Sequence, residues 1–202
     1  MLFALCLPHP SMPLRLFIAI DTPPEIKAQI ERIVANLTEV GAGVRWEPAR
    51  KLHATLKFLG STREELVIPI VESLTAVCRS REPFLVQYAG LGSFPDRQRP
   101  RVIWVGMNDP SGLLKEFHRA TEDAMASLGF EREHRVFTPH LTVGRVKGEK
   151  RIKLLLDMME TIMFETKPVM IRELLLVRSD LSRTGSVYKT LKTLSIGSSP
   201  AG

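Results

Sequence analysis

The residues best suited to chemistry come in two matched sets. "KLHATLKFLG" (51–60) contains His53-Ala54-Thr55-Leu56, and "PHLTVGR" (139–145) contains His140-Leu141-Thr142-Val143. Each places a histidine, one spacer and a threonine inside an apolar run that reads as a strand. Side chains at i and i+2 of a strand point to the same face. His53 and Thr55 therefore share a face, joined under strict alternation by Lys57, while Ala54, Leu56 and Phe58 take the other. In the second set His140 and Thr142 share a face, and Leu141 and Val143 turn to the core. Imidazole titrates near neutral pH, so one histidine can accept a proton while its twin donates one. Two threonine hydroxyls can donate to the non-bridging oxygens of a phosphate. An acid, a base and two such donors around one phosphorus suffice for metal-independent phosphodiester cleavage, through positioning and charge stabilisation.

The elements that must carry these residues also repeat. "LFIAI" (16–20) reads as a buried strand. A helix follows, with Thr22 as N-cap, Pro23 opening it, Glu25 completing a capping box, and Gly41 and Gly43 ending it. The first His-x-Thr strand comes next, then a helix within 62–79 that Pro69 forces to start late or kink, then a strand at "FLVQYAG" (84–90). The second half replays this order. "RVIWVGM" (101–107) is a strand, and Asp109 caps and Pro110 opens a helix along Leu113, Phe117, Ala120, Ala124 and Leu128, stopped by Gly129. "VFTPHLTVGRV" (136–146), a helix in "KRIKLLLDMMETIM" and strands at "VMIRELLLVRS" and "SVYKTLKTLSI" complete it. His53 and His140 are separated by nearly the same length of chain as Phe17 and Val102, near the starts of the halves. The expected fold is α/β in the broad sense (α+β): two β-α-β-α-β units related by a pseudo-twofold axis, facing each other across a central cleft that receives both His-x-Thr sets.

These motifs, with "RLFIAI", "VIWVGM" and "VRSDLSRTGSVY", resemble the 2H phosphoesterases, and among them the RNA 2′,3′-cyclic phosphodiesterases also called 2′-5′ RNA ligases. The resemblance runs from about Leu14 to Leu194. It implies a bilobal fold with a water-filled cleft, His53 as proton donor, His140 as proton acceptor, and Thr55 and Thr142 as phosphate ligands. It further implies hydrolysis of an RNA terminal 2′,3′-cyclic phosphate to a 2′-phosphomonoester, with reversible 2′-5′ RNA ligation as an accompanying reaction. Three alternatives stand beside it: a module that binds RNA ends, a ligase with little hydrolytic turnover, and a phosphodiesterase of small cyclic nucleotides.

Arg145 has two readings. Strict alternation puts it opposite His140 as a plain surface arginine, whereas a bulge at Gly144 re-aims it toward a phosphate. Phe58, Trp104, Phe137 and Tyr188 are candidates for base stacking, although most aromatics belong to the core. His9, His118 and His134 join no constellation. No third ligand stands at metal spacing from His53 and His140, so no metal or cofactor is expected.

The net charge of +6 favours an anionic partner, and "RVKGEKRIK" and "RQRPR" are the segments that could track an RNA backbone. Two cysteines, Cys6 and Cys78, are too few for a disulfide framework. No segment reaches transmembrane length. A soluble, cytoplasmic protein is expected, acting as a monomer without a membrane partner. Residues 1–13 read as a disordered extension or upstream start with Met12 as a second methionine, 14–196 as one bilobal domain, and 197–202 as a loose tail.

Overall fold

The structure, a computed structural model, describes residues 12–182 and 185–197. Cys6, His9 and the expected extension lie outside the described residues, apart from its last two. The first half of the chain supplies β1 (Leu14–Asp21), α1 (Pro24–Glu39), β2 (Val44–Trp46), β3 (His53–Thr62), α2 (Val67–Arg79) and β4 (Phe84–Phe94). The second supplies β5 (Val102–Asn108), α3 (Leu113–Ser127), β6 (His140–Val146), α4 (Ile152–Thr161), β7 (Val169–Ile171), β8 (Glu173–Ser182) and β9 (Gly185–Ser195). No helix among the described residues is long and apolar enough to cross a membrane.

All strands join one curled antiparallel sheet in the order β7-β4-β5-β6-β3-β1-β8-β9, with β2 added to β6. The order is symmetric about the β6–β3 contact. β1 pairs with β3 and β8, and β5 pairs with β6 and β4. The expected duplication is therefore present, with one feature the sequence did not suggest. Strands are exchanged between the halves: β4 completes the lobe of β5 and β6, and β8, followed by β9, completes the lobe of β1 and β3.

Alternation along β1 separates two apolar clusters. Leu16, Ile18 and Ile20 enter the main core, where Ile26 and Ile30 of α1 and Ile70 and Leu74 of α2 also lie. Phe17 and Ala19 point to the opposite face and join Val177, with Leu175 and Tyr188 packed on them. That second face is the one the His-x-Thr residues share.

Local differences from the sequence expectations have simple causes. α1 starts at Pro24 with Pro23 as N-cap and no side-chain cap, because Thr22 is fully buried with its hydroxyl turned inward rather than onto the helix. α3 starts at Leu113, not beside Pro110; the Asp109 carboxylate still covers its end, accepting from Leu114 N at 2.9 Å and Lys115 N at 3.3 Å. Its core stripe is shifted to Leu114, Phe117, Thr121 and Met125, leaving Leu113 exposed. Pro69 is accommodated in the first turn of α2, where its missing N–H costs no helical hydrogen bond. Gly41 and Gly129 take left-handed φ values of 65° and 88° just past their helices, as expected of helix stops. β2 is an additional short strand. β6 begins only at His140, since 131–139 has no regular structure. "VMIRELLLVRS" is not one strand: it breaks at exposed Arg172, β7 pairing with β4 and β8 with β1.

Candidate active site

β3 and β6 meet through Ala54 opposite Leu141. Both are spacer residues of the His-x-Thr sets. Continuing this antiparallel register by one residue either way sets His53 across from Thr142 and Thr55 across from His140. The four side chains thus come to one place because the two strands that carry them join there.

The partner strands prove that these side chains share a face. On β1, Asp21, Ala19 and Phe17 alternate without interruption and pair with His53, Thr55 and Phe58. On β5, Gly106, Trp104 and Val102 do the same for His140, Thr142 and Arg145. In each motif strand one residue after the threonine, Leu56 or Val143, is left without a partner. This is a β-bulge, and it occurs at the same place in both copies. It reverses the facing of the residues that follow it, as far as Phe58 in β3, where a second irregularity at Leu59 begins, and through Arg145 in β6. Arg145 is consequently brought to the face of His140 and Thr142, by a bulge at Val143 and not at Gly144, which pairs with Ile103. A Cβ on Gly144 would lie 2.7 Å from Val44 Cγ1 and 2.9 Å from Trp46 Cε3, so only glycine fits the contact with β2.

In the first copy the bulge corrects two assignments. Lys57 leaves the His53 face and is buried behind the sheet, its Nζ 2.8 Å from Glu122 Oε2 and 2.7 Å from the Glu131 carbonyl. It cannot offset charge in the cleft. Phe58, expected on the core face, instead stands on the His53 face, 69% exposed.

Each imidazole is held in the same way. His53 Nδ1 contacts the Lys51 carbonyl and His140 Nδ1 the Thr138 carbonyl, both at 2.7 Å. A carbonyl only accepts, so Nδ1 carries the proton in both, and Nε2 of the neutral ring keeps its lone pair. Aromatic rings complete the setting. Phe17 stacks on His53 at 4.8 Å and Tyr188 meets it edge-on at 5.2 Å. Phe94 meets His140 edge-on at 4.9 Å, with Trp104 at 6.4 Å. Burial lowers the pKa of both imidazoles. The carbonyl contact opposes the shift in each, and Asp21 and Glu47 oppose it further at His53. Neither the Thr55 nor the Thr142 hydroxyl has a hydrogen-bond partner among the described residues.

The remaining candidates separate. Phe137 stacks on His118 at 3.9 Å, and His118 Nε2 stands 3.9 Å from Glu122 Oε1, so both belong to the Lys57 cluster behind the sheet. His134 is exposed in the 131–139 segment. Within the basic segments, Arg97 pairs with Asp157 and Glu160, and Arg151 Nη1 donates to the Val40 carbonyl at 3.0 Å. Cys78 is buried in α2, its thiol pushed up to about 11 by desolvation. Sequence reasoning missed Phe17, Phe94 and Glu47. The alternation of Phe17 with Leu16 and Ile18 is hidden in an all-apolar run, and Phe94 and Glu47 reach the site only through strand pairing.

A symmetric α+β fold whose two halves join at paired His-x-Thr strands defines a two-histidine phosphoesterase. The chain belongs to the LigT-like phosphoesterase family, whose model matches it twice, over residues 20–104 and 105–188. It is similar to the RNA 2′,3′-cyclic phosphodiesterase of Thermotoga maritima, 34% identical over 180 residues covering 88% of this chain and 93% of that protein. The RNA 2′,3′-cyclic phosphodiesterase of Archaeoglobus fulgidus is also 34% identical, covering 89% and 98%. Among solved structures, E. coli LigT in apo form superposes with a TM-score of 0.71 at 27% identity, covering 93% of this chain and 100% of that one. E. coli LigT structures complexed with phosphate and with 3′-AMP match at 26% and 28% identity.

Proposed function

We propose that this protein is an RNA 2′,3′-cyclic phosphodiesterase that opens a terminal cyclic phosphate to a 2′-phosphomonoester without a metal. The observation that supports this reading is the Ala54–Leu141 pairing, which joins the two strands that carry His53, Thr55, His140 and Thr142. The named activity of the Thermotoga and Archaeoglobus relatives, which match nearly full length, supports the choice of substrate.

In this reading His140, neutral at Nε2, takes a proton from a water aligned opposite the 3′ oxygen. Protonated His53 donates from Nε2 to that oxygen as it leaves. Displacement in line needs an acid and a base on opposite sides of phosphorus, and imidazoles from opposite lobes provide them. Thr55 and Thr142 donate to the two non-bridging oxygens, where negative charge grows. Arg145, turned to this face by the bulge, offsets that charge. Each Nδ1–H anchored to a backbone carbonyl fixes the ring and keeps Nε2 as the working atom. With the 5′-hydroxyl of a second RNA in the place of water, the same groups acting in the same direction join ends through a 2′-5′ bond, His140 taking the proton of that hydroxyl and His53 protonating the departing 3′ oxygen. The protein would act in the cytoplasm as a monomer.

The test is a short RNA ending in a 2′,3′-cyclic phosphate, incubated with chelator and analysed against 2′- and 3′-phosphate standards. A 2′-phosphate product is expected. A 3′-phosphate product would reverse the donor and acceptor, and loss of activity in chelator restored by a divalent ion would end the metal-free reading.

A further inference from the structure

The two histidines are presented by different kinds of segment. Before His53 the chain is fixed by its backbone: β2 pairs with β6, Trp46 lies opposite Gly144, and Glu47 N donates to the Val143 carbonyl at 2.8 Å. Before His140 the segment 131–139 has no regular structure, and residues 131–136 are all exposed. Gly144 and Lys57 are equivalent positions, each four residues past its histidine and directly after the bulge. Where Gly144 leaves room for β2, Lys57 reaches behind the sheet. Its Nζ donates to both oxygens of Glu122, at 2.9 and 2.8 Å, and to the Glu131 carbonyl at 2.7 Å. Glu122 Oε2 also accepts from Glu133 N at 3.2 Å. One turn earlier on α3, His118 lies flat on the Phe137 ring, with 3.9 Å between centroids and 7° between planes. Arg132 adds an exposed pair with Asp123. These ties end one residue before Thr138, whose carbonyl holds His140 Nδ1 at 2.7 Å. Met107 N then donates to the Pro139 carbonyl at 3.0 Å, where the β5–β6 ladder takes over.

We infer that Lys57, Glu122 and His118 are positioning residues for His140: they seat the 131–139 segment so that the Thr138 carbonyl meets Nδ1. A segment with no backbone ladder of its own takes its order from such ties, and hydrogen bonds made by ionised groups are the strong ones. With the carbonyl in place, the neutral ring carries its proton on Nδ1 and keeps the Nε2 lone pair. With the carbonyl displaced, the Nε2–H tautomer is populated as well, and that form has no lone pair on the atom that must accept. Lys57 thereby ties the strand of the first motif to the histidine of the second. The inference rests on the proposed reaction for the acceptor role of His140, whereas the tautomer of the ring is independent of turnover.

The experiment uses the double variant Lys57→Met/Glu122→Leu, which removes the ties without leaving a lone buried charge. The nitrogen NMR spectrum of its histidine rings, at a pH where they are neutral, and its kinetics on RNA with a cyclic phosphate end are compared with wild type. His140 should change from a single Nδ1–H form to a mixture of tautomers. His53, anchored to the Lys51 carbonyl on the other segment, should keep its signal. kcat should fall about ten- to hundredfold, the scale of a displaced catalytic group, with KM nearly unchanged. His118→Ala should move His140 in the same direction by less, and His118→Phe, which keeps a flat ring on Phe137, should restore it. Wild-type His140 signals in the folded double variant overturn the inference. Equal changes at His53 and His140 overturn it too, because they mark a general loosening of the sheet. If the double variant does not fold, the His118 variants decide: a change at His140 in His118→Ala that His118→Phe reverses upholds the positioning role, and no change overturns it. If the wild type hydrolyses nothing, the proposed reaction fails and the tautomer of His140 alone decides.

Discussion

Ala54 and Leu141 face each other where the two halves of the sheet join, so each histidine stands across from the threonine of the other motif. The register is demanding. Slipping one strand by a single residue would turn its His and Thr into the core and its apolar spacers into the cleft. Leu141 is fully buried and Ala54 is 2% exposed, so the core itself opposes such a slip.

Both histidines should be needed. His53→Ala and His140→Ala are each expected to lower kcat on RNA with a cyclic phosphate end by about 10²-fold or more, the scale of losing a general acid or base. Thr55→Ala and Thr142→Ala should cost less. Full activity in either histidine variant would remove that residue from the mechanism.

Burial lowers the pKa of both His53 and His140 from 6.5. The acceptor then stays neutral to lower pH than free imidazole, and the donor loses its proton at lower pH too. Both limbs of the kcat/KM profile move to the acid side, and a bell with its maximum below pH 6.5 is expected for the free enzyme. Stability follows the same titrations. Between the lowered values and 6.5 the unfolded chain binds more protons than the folded one at His53, His118 and His140. Their contribution is complete above that window and is lost as pH falls through it. A kcat/KM maximum on the alkaline side of neutrality would contradict these environments.

The Lys57–Glu122 pair should behave as a buried ion pair, with side chains only 3% and 6% exposed. Lys57→Met or Glu122→Gln alone is expected to cost about 3–5 kcal/mol, because the remaining partner is left buried without compensation. The double change to apolar residues should recover much of this. Urea denaturation of the single and double variants checks it, and additive losses would show that the pair is not coupled.

Gly92 gives a packing test near His140. A Cβ there would lie 2.2 Å from Cζ2 of Trp104, whose indole is wedged beside Phe94 and His140. Gly92→Ala should destabilise the fold by about 1–3 kcal/mol and reduce kcat through displacement of the ring behind His140. Wild-type stability together with wild-type kcat would show that Trp104 can move without consequence.

Much of this protein was legible in the order of its residues. The two His-x-Thr sets, their strand context and the matched elements around them defined the duplication and the chemistry, because period-two alternation and helix-stop glycines are local properties. Other features were decided by tertiary structure. Lys57 and Phe58 stand on the faces opposite to those that alternation assigns, because a bulge is set by the strand alongside and leaves little local trace. The split at Arg172 and the exchange of β4 and β8 depend on which edges are free to pair across the whole sheet. Glu47 reached Arg145 and the surroundings of His53 only when β2 docked on β6. Sequence alone named the two histidines and two threonines. Only the folded sheet settled which neighbours share their face, since backbone pairing between distant segments has no period to read along one chain.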